Sequence, residues 1–220
     1  MFITLEGIEG AGKTSQIREI ARFLEGRGHE CLITREPGDT PIGRKIRSIL
    51  LDPENKALTS MAELFLYAAD RAQHLEERVL PALAAGKTVI SDRFHDATRV
   101  YQGAARGIDT ALIDRINRLV LGDLVPDLTL LFDLPPETGL ARAWKQLGDG
   151  ERDDRESRFE AEALSFHEKV RAGYLRLAES EPARFRVVHA EKGLSEVTEQ
   201  VLAILGREIP ALEARSKAVS

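Results

Sequence analysis

The residues best equipped for chemistry stand near the start of the chain. Gly7-Ile8-Glu9-Gly10-Ala11-Gly12-Lys13-Thr14 has the spacing G-x-x-x-x-G-K-[ST], between an apolar β-type stretch from Phe2 to Glu6 and an apolar-periodic run through Leu24. Strand, loop and helix in that order form the phosphate-binding P-loop. Its glycines let the backbone bend until successive N–H groups converge on phosphate oxygens, together with the positive end of the next helix. Lys13 then reaches the β- and γ-phosphates, and Thr14 offers a hydroxyl to Mg2+. The expected ligand is a nucleoside triphosphate held by Gly7 to Thr14.

A loop of this kind works only at the edge of a sheet, and the rest of the chain supplies one. Ile17, Ile20, Ala21 and Leu24 fall on one helical face, and Gly26-Arg27-Gly28 stops that helix. Further strands are read at Cys31–Thr34, Thr88–Ser91, Leu128–Phe132 and Phe185–His189. Helices are read around Ile42–Leu50, from about Thr59 to Ala85, from Asp109 to Leu121, from Pro135 to Leu147, from Phe159 to Ala178 and from Glu196 to Leu205. The stretch after Arg93 to Gly107 reads as irregular, Gly148–Arg158 as a mobile charged loop, and the tail beyond Pro210 as frayed. Strands alternating with helices predict an α/β chain, a doubly wound five-stranded parallel sheet with helices on both faces. Ligands of such sheets sit at the carboxyl ends of the strands.

Several charged residues follow those strand ends. They are Glu9 and Lys13, then Arg35 and Glu36, then Asp92 and Arg93, then Asp133. The positive charge exceeds what one triphosphate requires, and Arg152, Arg155 and Arg158 in the charged loop could close over the site. Phosphoryl transfer spreads charge over equatorial oxygens, so cationic stabilisation and exclusion of water are the catalytic needs. Asp92 and Asp133 are both candidates for the carboxylate at Mg2+, with turn formation as the plain alternative. Tyr67 and Arg71, one helical turn apart, serve either packing or binding.

Composition narrows the classes. The chain has 220 residues, 43% hydrophobic and 30% charged, with a net charge of −5 that gives no reason to expect nucleic-acid binding. Cys31 is the only cysteine, which excludes an intrachain disulfide and fits a reducing compartment, and it reads as a buried small hydrophobe. No stretch nears the roughly 20 apolar residues of a membrane span, and no signal-peptide pattern precedes the first strand. The expectation is a cytoplasmic protein without membrane or zinc. A guanine-reading N-K-x-D is missing, since Asn55-Lys56-Ala57-Leu58 lacks the Asp. A nucleoside kinase, which needs fewer acceptor arginines, and a switch ATPase remain competitors at this point.

Gly7 to Thr14, Thr34-Arg35-Glu36-Pro37-Gly38, Tyr67-Ala68-Ala69-Asp70-Arg71, Asp92-Arg93-Phe94, Tyr101-Gln102-Gly103 and Arg158-Phe159-Glu160 together resemble the bacterial thymidylate kinases, from about Phe2 to Leu205. The resemblance implies a P-loop kinase fold over residues 1–208, with a lid near 148–158. It also implies a homodimer packed through helices, and transfer of the ATP γ-phosphoryl to dTMP with Mg2+. Glu9 would then lie near the sugar 3′-hydroxyl, with Arg35, Arg47 and Arg93 around the dTMP phosphate and Glu36 lining the same pocket. Tyr67 would stack on thymine, Arg71 would donate to its carbonyl edge, Thr98 and Gln102 would face the base, and Tyr101 would crowd the 2′ position. Arg158, with Arg155 and Arg152 as alternatives, would act on the transferring phosphoryl, because the P-loop has no arginine at Gly10 or Ala11. Three residues depart from the pattern: Tyr67 stands where Phe is usual, Ser157 where Asp is common, and Asp39 in place of a second glycine.

Overall fold

A computed structural model describes residues 1–150 and 153–219, without the side chains of residues 154 and 215–219. Five strands, β1 (Phe2–Glu6), β2 (Cys31–Arg35), β3 (Thr88–Asp92), β4 (Leu128–Asp133) and β5 (Phe185–His189), form one parallel sheet in the order β2-β3-β1-β4-β5. The apolar sequences of β1, β3 and β4 follow from burial on both faces, whereas the edge strands β2 and β5 are only partly covered. Phe2 and Val89, paired in register, join a cluster with Leu75, Val79 and Phe94. Their neighbours Ile3 and Ile90 point the other way, into the larger core with Leu24 and Leu130. Register also sets Leu5 of β1 beside Asp92 of β3, so the loops after these two strands open at one edge.

The helix after the P-loop, α1 (Lys13–Glu25), buries Ile17, Ile20, Ala21 and Leu24 as the periodicity requires. Next come α2 (Pro41–Leu51), capped by the Thr40 hydroxyl, and α3 (Ser60–His74), capped by Thr59. In α2 the apolar stripe is only half used, since Leu50 is buried while Ile42 and Ile49 are exposed. From α3 the chain continues through a π-helical turn (Leu75–Val79) into α4 (Leu80–Ala84). That wider turn precedes Pro81, whose ring cannot join an ordinary helical ladder.

Three sequence expectations are corrected. The stretch before Gly107 is helical, as α5 (His95–Thr98) and a π-helical segment (Arg99–Ala105). It is fixed by long-range contacts such as the Asp96–Arg184 ion pair at 2.7 Å and the buried Val100 and Tyr101, not by apolar periodicity. After α6 (Thr110–Leu121) and α7 (Pro136–Gly148), the helix expected from Phe159 begins later, as α8 (Leu164–Ser180). Phe159 instead anchors a turn, its ring edge-on to Tyr101 at 5.4 Å. Finally α9 (Leu194–Val219) runs through Pro210 where a frayed tail was expected. Burial of Ile209, packing of Leu212 on the core and a 2.9 Å contact between His29 and Glu213 hold it past Pro210 as far as Glu213. Cys31 is half-buried, and burial with nearby Glu25 pushes its thiol up to about 11.

Candidate active site

A cavity of about 580 Å3 opens at the carboxyl ends of β1, β2 and β3, within the range of nucleotide-sized ligands. One end is the P-loop. Gly10 has φ 69° and lies against Gly139 of α7, where a Cβ would meet the Gly139 carbonyl. Conversely, a Cβ on Gly139 would stand 2.5 Å from the Glu9 carbonyl oxygen, so two glycines set how closely loop and helix approach. Gly12 begins α1 without a side-chain cap, which leaves the first N–H groups of that helix to a ligand.

Lys13 folds back over this loop, donating from Nζ to the carbonyls of Gly7 and Ile8 at 3.0 Å each. Burial and the neighbouring Arg93 lower its ammonium to about 8. Gly7 and Ile8 therefore serve the cavity by backbone, whereas Glu9, Gly10, Ala11, Gly12, Lys13 and Thr14 line it directly. The Thr14 hydroxyl donates to Asp92 Oδ2 at 3.3 Å. Two hard oxygens side by side at the phosphate end suit Mg2+, which takes few protein ligands beside phosphates and water. Asp133 is committed elsewhere, bridged by Arg171 at 2.7 and 2.9 Å.

Arg93 marks the middle of the cavity. Its backbone is the one non-glycine position in the left-handed region among the described residues, φ 68°, held by a bond from its N–H to the Leu5 carbonyl. That twist sends the guanidinium to Glu9 Oε1 at 2.9 Å and to the Tyr174 hydroxyl at 3.2 Å. The Tyr101 hydroxyl donates to the same Glu9 oxygen at 2.7 Å. Burial opposes ionisation of Glu9, but Arg93, His167, Lys13 and Tyr101 hold its carboxyl well below the usual range. His167 Nδ1 approaches the other Glu9 oxygen at 3.4 Å. Tyr174 in turn donates to Glu6 at 2.7 Å, and burial with Asp96 nearby pushes the Glu6 carboxyl up to about 8.

The far end is a chamber walled by α3. Arg71 is 1% exposed, and its guanidinium donates to Glu36 at 2.9 Å and to the Thr98 hydroxyl at 3.0 Å. His74 Nδ1 donates to the other Glu36 oxygen at 2.9 Å, since a carboxylate can only accept. Burial works against the Glu36 charge, yet Arg71 and His74 keep its carboxyl below the ordinary value. Tyr67, Thr98, Tyr101 and Gln102 line the same chamber, with Gln102 held by Glu63 at 2.7 Å. Arg35 reaches the cavity from the end of β2. Asp39 points away from it, paired with Arg78 at 2.9 Å.

The arginines expected at the lid and acceptor phosphate are placed unevenly. Arg47 lines the cavity, but Glu156 grips it from the lid in a two-point pair at 2.7 and 2.8 Å. Arg158 lies outside the cavity lining, bound to the Leu50 carbonyl and to Glu63 at 2.6 Å. Arg155 is exposed and pairs with Asp153 at 2.8 Å. Arg152 lies outside the described residues. Sequence reading missed Glu6, Glu63, His74, Gly139, His167 and Tyr174. Glu63 and His74 carried a signal, standing one turn before Tyr67 and one turn after Arg71 on one face of α3.

A phosphate cradle on a parallel sheet, joined through Arg93 to a buried polar chamber, is the arrangement of a P-loop phosphotransferase. The thymidylate kinase family model matches residues 5–201. The chain is 59% identical over 209 residues to a thymidylate kinase of Desulforapulum autotrophicum, covering 95% of this chain and 92% of that one. It is 56% identical over 207 residues to one of Desulfosudis oleivorans, covering 94% and 97%. A crystal structure of thymidylate kinase from Ehrlichia chaffeensis superposes with a TM-score of 0.72 at 33% identity, covering 93% of this chain and 98% of the other. The chain belongs to the thymidylate kinase family.

Proposed function

We propose that the chain transfers the γ-phosphoryl group of ATP to dTMP, yielding dTDP and ADP, with the residues described above in defined roles. The observation that carries this reading is the Arg93–Glu9–Tyr101 cluster standing between the P-loop and the α3 chamber. The ATP phosphates sit on the N–H groups of Gly10 to Thr14, and Lys13 turns from its carbonyl partners onto the β- and γ-phosphates. dTMP enters from the other side, its phosphate toward Arg35 and Arg93 and its thymine against Tyr67. Arg71, Thr98 and Gln102 meet the base edge, while Tyr101, fixed on Glu9, closes the space beside C2′. An oxygen of the dTMP phosphate attacks the γ-phosphorus in line, the bond to the β–γ bridging oxygen breaks, and that oxygen leaves with ADP. Lys13 and Arg93 offset the charge as it moves.

Thr14 and Asp92 would hold Mg2+, which neutralises phosphate charge when bound. Arg47 meets the acceptor phosphate only by releasing Glu156, so lid movement and acceptor binding are linked. The cation acting on the transferring group comes from the Arg152 to Arg155 end of the lid. Arg158 serves as its hinge-side anchor on Glu63. Residues 1–208 form one kinase domain in this reading. A homodimer is supported by the packed pair α2 and α3, which exposes Ile42, Ile49, Met61 and Phe65. No helix among the described residues is long and apolar enough to cross a membrane, and a cytoplasmic location is part of the proposal.

An ADP-release assay with ATP and Mg2+ tests the assignment. Stimulation by dTMP should exceed that by dUMP, dCMP, AMP and thymidine, and equal or absent stimulation by dTMP contradicts it. A nucleoside kinase would keep its acceptor affinity after Arg93→Ala, whereas here that affinity should collapse.

A further inference from the structure

Glu63 of α3 is 1% exposed, and it lies behind Gln102 of the chamber lining. Its Oε1 accepts from Gln102 Nε2 at 2.7 Å and its Oε2 from Arg158 Nη2 at 2.6 Å, with Arg106 leaning on both oxygens at 3.3 to 3.4 Å. A carboxylate offers only acceptors, so the Gln102 amide must turn its NH2 toward Glu63 whichever way the amide is drawn. The opposite atom, Gln102 Oε1, has no hydrogen-bond partner among the described residues. It is also not one of the sealed, unsatisfied buried atoms, and Gln102 lines the cavity. The free acceptor therefore opens into the chamber.

We propose that Glu63 is a specificity-determining positioning residue: by fixing the Gln102 amide it presents an acceptor to the base and so selects pyrimidines with an N–H at N3 over those with a lone pair there. This rests on the reading of the chamber as the base site. Thymine offers N3–H to such an acceptor, while cytosine would set its N3 lone pair against the Gln102 oxygen. Arg158 and Arg106 keep the carboxylate in one orientation, so the selection is built in before the nucleotide arrives.

Glu63→Gln gives a directional test. Arg158 still demands an acceptor where Oε2 stands, so the new amide oxygen goes there and its NH2 faces Gln102. The Gln102 amide must then flip and offer NH2 to the base. The kcat/KM for dTMP should fall about tenfold or more, as for loss of one buried hydrogen bond, while that for dCMP holds or rises. Equal losses for both substrates would mean Glu63 is merely structural and would overturn the proposal. Gln102→Leu separates the two layers of inference. If it leaves the dTMP to dCMP preference intact, the base-site reading fails. If it erases the preference while Glu63→Gln does not, only the role of Glu63 fails. In the unaltered protein the Gln102 NH2 should show slow hydrogen exchange by NMR with and without dTMP. Free exchange with solvent would overturn the locked amide even if Glu63→Gln does not fold.

Discussion

Replacing Gly139 with alanine tests the contact that sets the height of the phosphate cradle. The added methyl would lie 2.5 Å from the Glu9 carbonyl oxygen and 2.8 Å from Ile8 Cδ1, both on the loop that binds phosphate. Neither the loop nor the first turn of α7 can absorb such overlap by rotating a side chain, since the oxygen belongs to the backbone. They must part by something under ~1 Å, at a cost of about 1–3 kcal/mol for overpacking a close contact. For a chain of this size that lowers Tm by roughly 2–12 °C. A shift of this size in the donor cradle costs on the order of 100-fold in turnover. Thermal unfolding and ADP release as a function of ATP and dTMP read both effects. The loss should appear chiefly in kcat and in KM for ATP, with a smaller rise in KM for dTMP, because the displaced carbonyl belongs to Glu9, whose side chain holds Arg93 and Tyr101. Wild-type stability and ATP kinetics would refute the claim that this glycine pair holds the loop in place.

Lys13→Ala should lower turnover by about 3 kcal/mol or more in transition-state stabilisation, and near-normal rates would contradict the role given to the lysine. Because burial and Arg93 lower the Lys13 ammonium to about 8, kcat/KM for ATP should decline as pH rises through about 8, where the free enzyme loses that charge. A profile flat to pH 9.5 would contradict it. Arg158→Ala removes a donor to buried Glu63, which retains Arg106, so stability should fall by about 1–3 kcal/mol and Tm with it. Arg155→Ala, at a side chain 84% exposed, should leave Tm unchanged and lower kcat, and the reverse pattern would reassign the two arginines. Glu6 binds its proton more tightly folded than unfolded, up to about 8, so its ionisation subtracts stability as pH rises from the ordinary carboxylate range toward 8. Glu6→Gln should flatten that decline in Tm, and identical pH profiles would count against it.

Strands and phosphate loop were legible because each is written locally. Phe2–Glu6 and Phe185–His189 coincide with the strands read from sequence, and the other three run one residue further. Helix α1 matched because Ile17, Ile20, Ala21 and Leu24 state its buried face outright. His95–Ala105 was illegible for the opposite reason, since Asp96 finds Arg184 across the sheet and no period in the stretch announces a helix. Motif matching brought Tyr67, Arg71, Arg93, Tyr101 and Gln102 to one cavity. Arg158 stands outside that lining, since the spacing of a lid residue says nothing of the buried glutamate on α3. The supports of the site, such as Tyr174 under Arg93 and His74 behind Glu36, join residues far apart in sequence and carry no local pattern.

The most direct measurement is a crystal structure with dTMP and a non-hydrolysable ATP analogue bound together. The thymine ring should lie on Tyr67 with its N3–O4 edge toward Gln102 and Arg71, its phosphate beside Arg93, and the analogue's γ-phosphate in line on the P-loop. A pyrimidine bound away from Tyr67 and Arg71, or a nucleotide phosphate out of reach of Arg93, would contradict the arrangement from which every role above was derived.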